Sequence, residues 1–261
     1  MLVKPRIAPR GLVSQLQFQI GKAKIPRILL GTSPFIGAGQ FGRRAAFYRN
    51  YFYENPKNIV KIICKAVDLG VTGVQALPFR PIFGALKAVE RELKERLTIV
   101  GTIGPTDPSR DIRNFQEFNT AAMLLHGEIT DKRDSRRISE LLNKVHAANV
   151  LAGLVTHEPL STLNWLLESE VDIDLLMLPF NQLGMFMDAN PPKVAEAIKR
   201  VNKPVIGKKI LAAGYLSPQD ALTYVAQFRC IDVVALGIAS EQEARETFTA
   251  AAKAFSGRIV A

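Results

Sequence analysis

Pro204-Val205-Ile206-Gly207-Lys208 is a short apolar run, and Ser217-Pro218-Gln219-Asp220 follows it; Ile231-Asp232-Val233-Val234-Ala235-Leu236-Gly237 is a second run, and Ser240-Glu241-Gln242-Glu243 follows that. Runs this short, rich in β-branched residues and apolar almost throughout, suit strands covered on both faces. Ser217 with Pro at the next position and an acid in the first turn is a helix start, and Ser240 with Glu243 three residues on is a capping box before a helix over 244–255. Strand, capped helix, strand, capped helix is the grammar of a parallel sheet.

Working outward, the same unit recurs along the whole chain. Apolar runs lie at 27–32, 71–76, 97–102, 121–126, 150–156, 174–178, 204–208 and 231–237. Helical patterns separate them: Asn55-Pro56 opens one that runs to Asp68 and closes at Gly70. Eight such units favour a closed (β/α)8 TIM barrel over an open doubly wound sheet, which would bring a glycine-rich dinucleotide fingerprint after its first strand; none is present. Leu16-Gln17-Phe18-Gln19-Ile20 alternates with period two before a turn at Gly21-Lys22, which reads as an N-terminal β-hairpin closing the bottom of the barrel. No linker or composition break interrupts the pattern, so residues 1–261 are expected to form a single TIM-barrel domain.

Composition agrees. The chain has 261 residues, 48% hydrophobic and 22% charged, which excludes disorder and disulfide-dense scaffolds. Lys and Arg number 34 against 24 Asp and Glu, a net charge of +10 that favours an anionic small-molecule ligand. The cations are spread along the chain rather than gathered into a stripe with aromatics, so no nucleic-acid partner is expected. Cys64 and Cys230 stand singly in apolar segments and read as buried thiols. The segment 1–11 is basic without an apolar stretch, and no run is long enough to span a membrane, which points to a cytoplasmic protein.

In such a barrel the chemistry sits at the C-terminal ends of the strands. Those positions hold Thr32, Ser33, Gln75, Thr102, His126, His157, Glu158, Asn181, Lys208, Lys209 and Ser240. His126 ends an apolar strand beside Gly127 and suits a general acid or a polar contact, the alternative being a bond to a loop carbonyl. His157 serves equally as a site residue or a structural cap. The third histidine, His146, falls inside a helix over 135–148. With Glu128 the two strand-end histidines have metal-ligand chemistry, but two histidines without a His-x-His pair argue for no metal. Lys208 and Lys209 are adjacent, so alternation sends only one inward, to bind phosphate or, desolvated, to form a Schiff base; otherwise both are solvated at a fraying strand end. The small-residue loops at 212–214 and 237–240 precede helix N-termini and suit a phosphate. The long first loop, with Arg43 and Arg44 ahead of Tyr48, Tyr51 and Tyr53, reads as a lid or a ligand wall.

The stretch Lys203-Pro204-Val205-Ile206-Gly207-Lys208-Lys209-Ile210-Leu211-Ala212-Ala213-Gly214 resembles the seventh-strand segment KPVIAMKPLAAG of the aldo/keto reductase superfamily, with the family lysine falling on Lys209. Asp232–Ser240 with Glu243, the bottom hairpin, Gly31-Thr32-Ser33 and Leu124-Leu125-His126 extend that resemblance thinly over most of the chain. It implies a TIM barrel, NADP(H) held by Lys209, Gly214, Gly237, Ser240 and Glu243, and reduction of a small carbonyl compound. The family tetrad of Asp, Tyr, Lys and His survives only at His126: Gln75 stands for the acid, Arg80 for the tyrosine, and Thr102 or Ile103 for the lysine. Ordinary reduction by that tetrad is therefore not expected, because nothing acidifies a proton donor. The expectation carried forward is a divergent, NADP(H)-using barrel with His126, Lys209 and His157 catalytic and Ser33, Gln75, Arg80 and Asn181 binding substrate. The alternatives are a lyase or aldolase using Lys209 with His126 or His157, and a barrel that only binds a small anion.

Overall fold

A computed structural model describes residues 10–258. Residues 1–9, most of the segment read above for a leader, lie outside them, as do 259–261. Two antiparallel strands come first, β1 (Gln17–Ile20) and β2 (Ala23–Pro26). Eight parallel strands follow, β3 (Ile28–Gly31), β4 (Gly73–Ala76), β5 (Thr98–Ile103), β6 (Thr120–Leu125), β7 (Leu151–Val155), β8 (Leu175–Pro179), β9 (Val205–Lys208) and β10 (Val233–Gly237). They close as a barrel, with β10 pairing both β9 and β3. Every expected strand is present, each trimmed or shifted by one or two residues at its ends, where pairing stops.

The helices form where their punctuation predicted. Pro56–Asp68 is closed by Gly70 at φ 89°. The Ser217 hydroxyl accepts the Asp220 N–H at the start of Pro218–Ala226, and the Ser240 hydroxyl accepts the Glu243 N–H at the start of Glu241–Phe255. That last helix begins three residues before the expected 244, since its first turn is the capping box itself.

Strand alternation divides the core in two. Leu29, Val100, Ala122, Leu124, Val155, Met177 and Ile206 fill the inside of the barrel, while their neighbours in sequence pack against the helices. The hairpin belongs to the inner set: Ile25 is fully buried there, with Phe18 and Ile20 packed beside it. It closes the N-terminal end, where Arg27 lies over the Phe18 ring and donates to the Asp232 carbonyl at 2.8 Å. Cys64 and Cys230 are not joined to one another, as expected, but each is only half-buried at the edge of the outer core rather than fully buried. Burial beside Glu92 and Asp68 pushes the Cys64 thiol up, which suppresses its thiolate. No helix among the described residues is long and apolar enough to cross a membrane.

Candidate functional site at the barrel mouth

The inner phase decides what the mouth presents. Continuing Val100 gives Thr102, Ala122 and Leu124 give His126, Val155 gives His157, and Ile206 gives Lys208. All four line a cavity of about 1100 Å³ at the C-terminal ends of the strands, together with Gln75. On its floor, Gln75 Nε2 donates to Thr102 Oγ1 at 3.0 Å, both side chains being almost wholly buried.

The two histidines are held by different partners. His126 ends β6 and caps a short helix, Gly127–Thr130, with its Nδ1 accepting the Glu128 N–H at 3.3 Å. His157 follows β7 and its Nδ1 lies 3.3 Å from Asp131 Oδ2, which also accepts the His157 N–H at 3.1 Å. The rings meet edge to face, 5.4 Å between centroids. This fit requires Gly127: a Cβ there would stand 2.2 Å from His157 Nδ1. Although burial raises the Asp131 carboxyl, donors from His157 and from the Thr156 hydroxyl hold it below its usual range. Assigned from these bonds, the neutral tautomers are opposite: His126 carries its proton on Nε2 and donates, whereas a neutral His157 ring carries it on Nδ1, toward Asp131, and leaves its Nε2 lone pair free. Burial, with the charges of His157 and Lys208 nearby, lowers His126 to about 4, so it is neutral near pH 7.

The lysines correct the alternation expected of them. Gly207 points outward, where an added Cβ would meet Ile210 and Ile231 at 3.0 Å, so Lys208 and not Lys209 is the inward residue of β9. Lys209 lies past the strand end at φ 56°, and this left-handed turn breaks the alternation that would have sent it to the helix layer. Both lysines therefore line the cavity. Burial and the charge of Lys209 lower Lys208 to about 7, with Asp131 opposing from a distance. The Lys209 ammonium sits 4.6 Å from the centroid of the Phe186 ring, and Phe186 too is left-handed, at φ 62°. A non-glycine residue in that region costs about 1–3 kcal/mol.

The first loop is a wall rather than an unstructured lid. It folds as two 3-10 turns, the helix Arg44–Tyr48 and one wider turn, Arg49–Tyr53. Phe35 and Phe52 anchor it in the core, while Ser33, Arg44, Tyr48 and Tyr53 face the cavity. Arg44 ties it across to the Ala213 carbonyl.

Of the other residues singled out in the sequence, Arg80, Gly214, Gly237, Glu243 and Glu128 also line the cavity. Four others are committed elsewhere. Asn181 is fully buried and brackets Met185 with both ends of its amide, because β8 stops at Pro179 and the chain turns away before reaching the mouth. Ser240 is absent from the cavity lining, its hydroxyl being committed to its own helix. Glu158 pairs with Arg133, and His146 pairs with Asp174 at 2.9 Å. Asp131 was missed. It lies five residues after His126, and only the intervening one-turn helix brings it back to His157, which no sequence spacing announces. Among the described residues no group of three or more His, Cys, Asp or Glu could hold a metal ion.

The NADP(H) implied by the resemblance can be tested against the helix after β10. Glu243 Oε2 already accepts the Ala239 N–H at 2.8 Å, and Glu241 and Glu243 both stand in the first turn. Glu246 lines the cavity as well. A helix terminus occupied by its own carboxylates repels a phosphate rather than attracting it, so these residues do not fit a dinucleotide phosphate.

No protein-family model matches the chain, and no curated protein matches it either. Solved structures do. A protein assigned as an aldo-keto reductase from Pseudomonas aeruginosa superposes with a TM-score of 0.67 at 18% identity, over 93% of this chain and 96% of that one. Aldose reductase from Giardia lamblia gives 0.58 at 10% identity, over 87% of each. Deoxyribose phosphate aldolase from Aeropyrum pernix gives 0.57 at 14%, over 93% and 92%. The barrel fold that the sequence resemblance implied is therefore the fold observed, and the chain shares it with aldo-keto reductases and with an aldolase alike.

Proposed function

We propose that the protein is an enzyme of carbonyl chemistry that works through an amine, a lyase or aldolase in which Lys208 forms a Schiff base. The observation that carries this reading is Lys208 itself: an inward lysine at the strand end, kept substantially neutral by burial and by Lys209, facing a cavity beside two histidines of opposite tautomer. A protonated lysine is no nucleophile, and desolvation next to a second cation is the usual way to free one.

In this reading the neutral Lys208 amine adds to a substrate carbonyl carbon. The oxygen takes a proton from water while His126 Nε2–H donates a hydrogen bond to it. Loss of that oxygen as water leaves a protonated Schiff base, which draws electrons from the adjacent carbon. His157 Nε2 then removes a proton from that carbon, or from a hydroxyl on the carbon beyond it, whose oxygen becomes a carbonyl as the bond between the two carbons breaks; either way an enamine forms, Asp131 stabilises the imidazolium that results, and the imidazolium returns its proton to the enamine carbon. Hydrolysis returns the amine. Gln75 and Thr102 supply polar contacts on the floor, with Ser33 and Arg80 at the walls.

Borohydride trapping tests this. With a small ketone or aldehyde, the wild-type protein should gain one reduced adduct on Lys208, and Lys208→Met should gain none at that site. Absence of an adduct, or NADPH oxidation coupled to carbonyl reduction, would return the fold relationship to an oxidoreductase reading.

A further inference from the structure

Lys208 is explained by the reading above, but Lys209 is not. Strand geometry would have placed it between the helices; a left-handed backbone at φ 56° turns it back into the cavity instead. A second left-handed residue, Phe186 at φ 62°, comes from the loop after β8 and sets its ring beneath the ammonium, 4.6 Å from Nζ to centroid. The described residues bring no carboxylate within ion-pair distance of Lys209. Burial lowers the Lys209 ammonium, and Asp131, the acid that opposes this from afar, is committed to His157 and Thr156. Two loops thus cooperate to hold a cation at the mouth on a ring face, a partner that orients the charge without neutralising it. Its direct sequence neighbour is the candidate nucleophile.

We infer that Lys209 is the anion-recognition residue of the site, so that the substrate is a carbonyl compound carrying a carboxylate or phosphate close to the carbonyl carbon. This rests on the Schiff-base reading and narrows it to one substrate class. An ammonium on the residue next to Lys208, facing the same cavity, selects the carbonyl by its charged neighbour, as a charge-assisted hydrogen bond does in a partly dry site. The overall charge of +10 assists the approach of such a ligand but does not choose between ligands.

The test compares pyruvate, dihydroxyacetone phosphate and neutral hydroxyacetone as borohydride-trapping probes of Lys208, read by mass spectrometry as the concentration giving half-maximal adduct. In the wild type at least one anionic probe should work at a concentration about tenfold below hydroxyacetone, the size of a contact of about 1.4 kcal/mol. In Lys209→Gln that ratio should collapse to about one, and Lys209→Arg should retain part of it. The ranking of pyruvate against dihydroxyacetone phosphate assigns the anion as carboxylate or phosphate. A wild-type ratio near one, or a ratio that survives in Lys209→Gln, overturns the inference. If no probe is trapped at all, the Schiff-base reading fails, and calorimetry with oxamate and inorganic phosphate decides on Lys209 separately: binding that weakens at least about fivefold in Lys209→Gln upholds the anion site, and absent or unchanged binding rejects it. Circular dichroism confirms that each variant is folded, and Phe186→Leu, which removes the ring but not the charge, should weaken anion preference less than Lys209→Gln.

Discussion

The two ends of the barrel use the same chemical groups in opposite ways. At the N-terminal end every unusual group has a structural purpose. The Asp232 and Asp174 carboxylates accept the N–H groups of Val205 and Ala152 at the starts of β9 and β7, and Arg27 ties the hairpin to Asp232. The left-handed residues Lys94 and Asn202 there simply end helices, a common role for that conformation. At the mouth, Phe186, Lys209, Ala212 and Ala213 are left-handed without ending any long helix, and Lys208 is half-buried where its charge is disfavoured. Strain and buried polarity that contribute nothing to closing the fold mark the end where the chemistry is placed.

Variants at the two ends sharpen this contrast. The largest effect is expected at the mouth, from Lys208→Met. Because the folded state lowers this lysine to about 7, the unfolded chain holds a proton that the native one lacks between that value and the ordinary lysine range. Native stability should therefore climb as pH rises through that window, at up to about 1.4 kcal/mol per pH unit. Lys208→Met should be more stable than wild type at neutral pH and lose the slope; denaturant titrations at a series of pH values measure both. A wild-type slope unchanged by the substitution would erase the distinction between the ends.

At the opposite end, Ile25→Ala should cost about 2–5 kcal/mol by opening a cavity beneath the hairpin, yet leave the ratio of anionic to neutral trapping at Lys208 unaltered. A changed ratio would show that the bottom is coupled to the site. The smallest effect separates the left-handed residues. Ala213→Gly relieves a Cβ clash at φ 56° and should stabilise by about 0.5–1 kcal/mol after the entropy of glycine is counted. Asn202→Gly, at a helix end that asparagine already tolerates, should change stability by less than about 0.5 kcal/mol. Equal gains at both positions would mean that the mouth is no more strained than the bottom.

The bottom was also the more legible end in the sequence. Its hairpin and all eight strands follow from apolar runs bounded by Gly, Pro and capping residues, since burial on both faces leaves that mark directly on composition. At the mouth, His126 and His157 were readable because strand alternation carries their phase to the rim. Lys209 was taken as the site lysine because the resemblance puts the family lysine there, whereas Ile206 fills the interior and gives Lys208 the inward phase, and no propensity announces a left-handed lysine. Asn181 was taken for a site residue because it follows the end of its strand, although its amide is spent bracketing Met185. Asp131 left no signal, since its place depends on a one-turn helix and on a glycine that lets a ring pass.

The central claim is that Lys208 titrates near neutrality, so that a large share of it is free amine near pH 7, and its own titration tests this most directly. Nuclear magnetic resonance of the lysine Cε–Nζ groups against pH, with Lys208→Met identifying the signal, should show one lysine with its midpoint near 7, rising toward the ordinary value when Lys209→Gln removes the neighbouring charge. A Lys208 midpoint in the ordinary lysine range, near 10.4, would contradict the account.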